Sequence, residues 1–129
     1  MYTLDSIDKK ILNILQDNAR NSASNIAELI GMSIPAVTDR IRKLQDSGFI
    51  KGFKAVIDSK KLGYDVAAII TIISESSENY SQLIKNISEH QEILKCYSTT
   101  GNGSHVLLAI TKNTTSLEKL LRKIQAWPG

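Results

Sequence analysis

Ser22–Gly48 reads SASNIAELIGMSIPAVTDRIRKLQDSG, two runs of helical periodicity broken at Gly31. In the second run Ile34, Val37, Ile41 and Leu44 recur three, four and three residues apart, which places them on one stripe of a helix. That stripe is expected to be buried. At about 100° per residue, Pro35, Asp39, Arg42 and Lys43 point away from it, Ala36 and Thr38 flank it, and Arg40 lies near its border. The open face is therefore small near its start and basic further on. Ser33 suits an N-cap, and Pro35 suits a first turn whose amides have no partner within the helix. Gly48 suits a left-handed stop.

Upstream, Ala23, Ile26, Ala27 and Ile30 form the stripe of a preceding helix, with Ser22 as its cap and Gly31 as its stop. Before that, Ser6–Asn18 carries Ile7, Ile11, Ile14 and Leu15 at helical spacing, with Asp5 or Ser6 as cap and Asp8 placed favourably in the first turn. Three short helices with complementary apolar faces make a small trihelical core, with a helix-turn-helix inside it. After Gly48, FIKGFKAVID fits no single helical stripe and predicts an extended strand with a break at Gly52. It reads either as a wing on DNA, with Lys51 and Lys54 near phosphates, or as the tether to a second domain; the tether is the preferred reading. DSKKLG, residues 58–63, is polar and turn-rich and marks the boundary. The domain organisation is thus residues 1–50, a helix-turn-helix; 51–63, strand and linker; and 64–129, a second domain.

That second half predicts strand, helix, strand, strand, helix. Tyr64–Ile73 is β-branched and almost continuously apolar, as for a strand buried on both faces. Asn79–Glu89 has Tyr80, Leu83, Ile84 and Ile87 at helical spacing. Lys95–Thr100 and His105–Thr111 flank Gly101-Asn102-Gly103-Ser104 and form a hairpin. Thr114 or Ser116 opens a last helix carrying Leu117, Leu120, Leu121 and Ile124, and Trp127-Pro128-Gly129 breaks it.

With 129 residues, 42% apolar and 22% charged, the chain has the balance of a globular protein with a core. No apolar run approaches a membrane span and the N-terminus lacks signal-peptide order, so a cytoplasmic protein is expected. The single Cys96 excludes an internal disulfide and suits a reducing compartment. Residues 1–63 carry ten Lys and Arg against seven Asp and Glu, whereas residues 64–129 carry six of each. All of the net charge of +3 thus lies in the half that holds the basic helix, which suits a polyanion partner. A solvated face is the competing reading.

Catalysis finds no constellation. Cys96 falls in a predicted strand without a base and orienter, and reads as a structural thiol. Gly101-Asn102-Gly103 opens no helix and lacks the third glycine of a dinucleotide fingerprint. His90, His105 and Cys96 are too widely spaced for a metal pattern. No cofactor, metal or enzymatic activity is expected.

Several short segments resemble the Lrp/AsnC, or feast/famine, transcriptional regulators. They are Leu4-Asp5 with Ile7-Asp8 and Ile11-Leu12, Asn18-Ala19-Arg20, Ile26-Ala27, Gly31-Met32-Ser33, Arg40-Ile41 with Leu44, Ser47-Gly48-Phe49-Ile50, Leu62-Gly63-Tyr64-Asp65-Val66, and Thr99-Thr100-Gly101. Order and spacing hold over nearly the whole chain. The resemblance implies an α+β protein. Its N-terminal helix-turn-helix domain, winged-helix-like, would be joined by a strand to a C-terminal ferredoxin-like α/β-sandwich effector domain. It also implies dimers through the C-terminal sheets, assembling into octamers, and an amino-acid effector bound between dimers. The effector site falls on Thr99, Thr100, Gly101, Asn102 and Ser104. Tyr97-Ser98-Thr99-Thr100-Gly101 with Ser104 is similar to the asparagine-responsive branch, which makes asparagine the first ligand expected. Many leucine-responsive members carry an Asp in place of Ser104, so the resemblance implies that a counter-charge for an α-ammonium group is missing here. The family's final strand does not follow Gly129: either the sequence stops short of it, or the module works without it and leaves a sheet edge that another chain could fill.

On double-stranded DNA, the start of a recognition helix enters the major groove. Pro35, Ala36, Thr38 and Asp39 are placed for base edges, and Arg42, Lys43 and, from its border position, Arg40 for phosphates. Ala36 or Thr38 suits a thymine methyl and Asp39 suits cytosine N4, although Asp39 is equally suited to an ion pair with Arg42 or Lys43. Ser33 has a hydroxyl to donate to phosphate, and Ser22, Ser24 and Asn25 sit at another positive helix end. A ligand-responsive DNA-binding regulator is the favoured function; a small-molecule-binding or assembly module whose helices serve only packing is the alternative.

Overall fold

The computed structural model describes all residues, Met1–Gly129, and divides into two compact units, Met1–Val56 and Ile57–Gly129. In the first, α1 (Ser6–Asp17), α2 (Ala23–Ile30) and α3 (Ile34–Asp46) pack around Ile11, Leu15, Ile26, Ala27, Val37 and Leu44. The ends are set by local chemistry. Asp5 and Asp8 form a reciprocal capping box on α1, while Ser22 and Ser33 cap α2 and α3. Gly31 closes α2 in the left-handed conformation at φ 71°, and Gly48 turns the chain after α3 at φ 83°.

Two sequence expectations change in this unit. Ile34, assigned to the buried stripe, remains 49% exposed. On the wheel it lies about 60° from Val37 and about 80° from Leu44, the two fully buried residues of α3, so it falls at the stripe's edge in a first turn with little cover. The strand expected after Gly48 is not formed either. Ile50 N–H still donates to Leu44 O at 3.0 Å, but residues 51–58 run without ladder partners. A strand needs a neighbour to receive its backbone groups, and the three-stranded sheet of the second unit does not include this segment.

The second unit follows the order β1 (Val66–Ile72), α4 (Tyr80–Ser88), β2 (Ile93–Ser98), β3 (His105–Thr111), α5 (Thr114–Gln125). The strands pair antiparallel in the order β1-β3-β2, the ferredoxin-like arrangement expected. Leu83 and Ile87 of α4 and Leu120 of α5 cover one sheet face at Ile93, Leu107 and Ala109. The other face is open. Burial alternates along β1, contrary to the expectation of cover on both sides, and Ile69 is 75% exposed. The register places Ile69 beside Leu108, Ala67 beside Ile110, and Tyr97 beside Val106 on that open face. A continuous apolar run shows that a strand is to be covered; it does not show that the cover lies in the same chain.

Candidate nucleic-acid interface and effector loop

The residues expected to touch DNA separate into three groups. Ser33, Pro35 and Thr38 are exposed at the start of α3, and Ala36 is half-buried. Ser33 Oγ accepts from Ala36 N at 3.3 Å, which occupies a lone pair but leaves the hydroxyl proton for a phosphate oxygen. Arg42 and Lys43 lie further along the open face, and both pair with Asp39, Lys43 at 3.0 Å. Asp39 is accordingly held below the usual carboxylate range, first by Arg42 and then by Lys43. The ion-pair reading of Asp39 therefore describes the free protein. These are exposed pairs within one helix, weak because solvent screens them, so exchanging Asp39 for a phosphate costs little.

Arg40 is placed differently. Its Nη1 donates to Asp5 Oδ2 at 2.6 Å and to Asp8 Oδ1 at 3.1 Å. Asp8 is fully buried, and its other oxygen accepts from the Tyr2 hydroxyl at 2.8 Å and from Asp5 N at 3.2 Å. Arg40 holds Asp5 below the usual carboxylate range, and the bond to Asp8 raises Tyr2 above the usual phenol value. The border position read from the wheel thus becomes a clamp from α3 onto α1. Asp5 was legible as a cap candidate and Asp8 as a first-turn acid; their pairing with Arg40 was not, because Arg40 lies more than thirty residues away.

In the second unit the five expected effector residues share a loop but not a pocket. Thr99 N–H donates to Ser104 O at 2.9 Å and Thr99 Oγ1 donates to Gly103 O at 3.0 Å, which closes the turn. Gly103 has no room for a side chain, since a Cβ there would lie 2.6 Å from Thr71 Cγ2. Ser104 Oγ reaches Ile72 O at 3.3 Å, Ser74 Oγ at 3.1 Å and His105 Nδ1 at 2.8 Å, and the buried His105 ring meets Tyr80 edge-on. Thr100, Gly101 and Asn102 are exposed at the tip, where Gly101 takes φ 99°. A cavity of about 280 Å³ lies instead among Ile70–Ser74, Leu83, Leu121, Ile124 and Trp127; none of the five lines it. Cys96 packs against the sheet core, and burial raises its thiol above the usual value.

An exposed, capped helix in a trihelical unit, joined to a separate α/β unit, defines a class of two-part DNA-binding regulators. Residues 4–51 match the winged helix-turn-helix DNA-binding family profile and residues 66–129 match the Lrp/AsnC ligand binding domain. The regulatory protein AsnC of Haemophilus influenzae is 40% identical, over 97% of this chain and 84% of its own. The structure of E. coli AsnC superposes with a TM-score of 0.85 at 31% identity, covering 97% of this chain and 85% of that one. B. subtilis LrpC gives 0.86 at 29% identity, covering 95% and 86%. The chain belongs to the Lrp/AsnC family of transcriptional regulators: it is a DNA-binding regulator modulated by a small molecule. No helix is long and apolar enough to cross a membrane.

Proposed function

We propose that α3 reads a specific double-stranded operator, with Ser33, Pro35, Ala36, Thr38 and Asp39 toward bases and backbone and with Arg42 and Lys43 on phosphates. Residues 1–50 act as the reader, 51–63 as the connection, and 64–129 as the effector and assembly part, in the cytoplasm. The observation that carries this reading is the division of α3's open face, uncharged at its capped start and bearing Arg42 and Lys43 further along. Arg40 leaves the phosphate set, because its guanidinium is already bonded to two carboxylates.

Gel shifts with duplexes selected from a random pool test it. Wild-type protein is expected to bind at low salt, and Arg42→Ala to weaken all duplexes alike while lowering the slope of log affinity against log salt by about one. An unchanged slope removes Arg42 from the phosphates. No binding at low salt removes the DNA reading itself. Two readers in a dimer should protect half-sites about one helical turn, or a multiple, apart.

The effector reading places an amino acid, asparagine first, against Thr99, Thr100, Gly101, Asn102 and Ser104. The exposed hydroxyl of Thr100 and carboxamide of Asn102 complement a carboxamide ligand in donors and acceptors, and the loop offers no carboxylate to an ammonium group. The dimer, and the octamer built from it, rest on the open sheet face around Ile69 and Leu108. Calorimetry with asparagine, glutamine, aspartate and leucine is expected to give heat with asparagine. Asn102→Ala should lower that affinity by about tenfold, the effect of a hydrogen bond lost at about 1.4 kcal/mol. Heat with another amino acid alone would move the ligand assignment, and heat with none would remove the loop.

A further inference from the structure

We infer that Ile34 is a specificity-determining residue that packs on the C5-methyl group of a thymine in the major groove. This inference rests on the reading of α3 as the DNA-facing helix and names one of its contacts.

Ile34 is the large apolar side chain that α3 leaves open: Val37 and Leu44 are fully buried and Ile41 is partly covered, while Ile34 keeps 49% of its surface. It also occupies the first position of α3, directly after the Ser33 cap, and the N-terminal residues of a recognition helix are those that meet base edges. Thr38, exposed one turn on and about 40° away on the wheel, extends the same side with a second methyl group. Ala36, which shares the first turn, is half-buried and carries a single methyl group, so it reaches less far from the helix than Ile34. The major-groove edges of the four bases carry donors, acceptors and a single apolar group, the thymine methyl. An aliphatic branch entering the groove is therefore matched by thymine, whereas the other bases leave it against unsatisfied polar edges.

Leu29 provides the contrast. It is 68% exposed and equally aliphatic, but it lies in the last turn of α2 rather than at the start of α3.

The test uses the full chain and a duplex selected from a random pool by the wild-type protein. Each thymine in a half-site is replaced in turn by deoxyuridine, which removes only the methyl group. At one position the wild type is expected to lose about three- to fivefold in affinity, the worth of roughly one buried methylene. Ile34→Ala should abolish that difference, Ile34→Val should keep part of it, and Leu29→Ala should leave it intact. Ile34→Val also serves should Ile34→Ala lose its fold. The inference is overturned if no thymine responds, if selected half-sites contain none, or if Thr38→Ala rather than Ile34→Ala erases the response. In each of those cases selective binding to the chosen duplex survives, so the DNA reading stands. Loss of all preference for the selected duplex over a scrambled one overturns both.

Discussion

Arg40→Ala is expected to lower the stability of the helical unit by about 3 kcal/mol, the cost of removing one partner of a buried ion pair. The reason is the carboxylate left behind. Asp8 is fully buried, and without Arg40 its charge keeps only the Tyr2 hydroxyl and the Asp5 amide. The figure sits at the low end for such losses because the Arg40 side chain retains 24% exposure and part of its charge is already solvated. Urea denaturation followed by helical circular dichroism measures it. A loss under about 0.5 kcal/mol, the scale of an ordinary surface substitution, would show that the clamp is ornamental.

The same variant separates clamping from phosphate contact. Arg40 is paired in the free protein, so its loss should weaken every duplex without lowering the salt slope, the reverse of Arg42→Ala. Acid should act in the same direction. Asp5 has a depressed folded-state value, so its stabilisation is complete above the ordinary carboxylate value of the unfolded chain and is lost as pH falls through the folded one. Arg40→Ala should flatten that part of the acid profile.

The second large effect is expected at the open sheet face. If the open face is the proposed dimer interface, Ile69→Lys should yield monomers, with association weakened by at least about 100-fold, the equivalent of roughly 3 kcal/mol for an unpaired charge placed in an apolar contact. In the separate chain Ile69 is 75% exposed, so lysine there finds water and the fold is retained. In a symmetric dimer each copy contributes the same patch, and one substitution introduces two lysines. Sedimentation velocity reads the outcome. If Ile69→Lys sediments as the wild type does, the face bearing Ile69, Leu108 and Tyr97 is not the interface; if the wild type is itself monomeric, the dimer reading falls.

Local features of this protein were legible in its sequence. Ser22, Ser33, Gly31 and Gly48 mark the helix ends through contacts within a few residues, and each does so in the structure. The Gly101-Asn102-Gly103 hairpin was legible for the same reason, since Gly101 adopts a left-handed conformation at its tip. What was lost depended on partners far along the chain. The wheel put Arg40 at a border and Ile34 on a stripe, but only the packing of α1 and α2 determines what meets each of them. Ser104 illustrates the same limit: its sequence neighbours give a turn, whereas its bonds to Ile72 and Ser74 come from the end of β1 and the residues just after it, about thirty residues earlier.

The sequence by itself determined the helix-turn-helix, the β-α-β-β-α order and the family, because period, caps and turn residues are written within a few positions of where they act. Only the tertiary structure decided which cation of α3 is tied to α1 and which apolar residues stay exposed. Charge pairing and burial are settled by whichever side chain arrives in space. Arg40 met Asp8 across thirty-two residues, while Ile34 stayed half exposed and Ile69 three-quarters exposed.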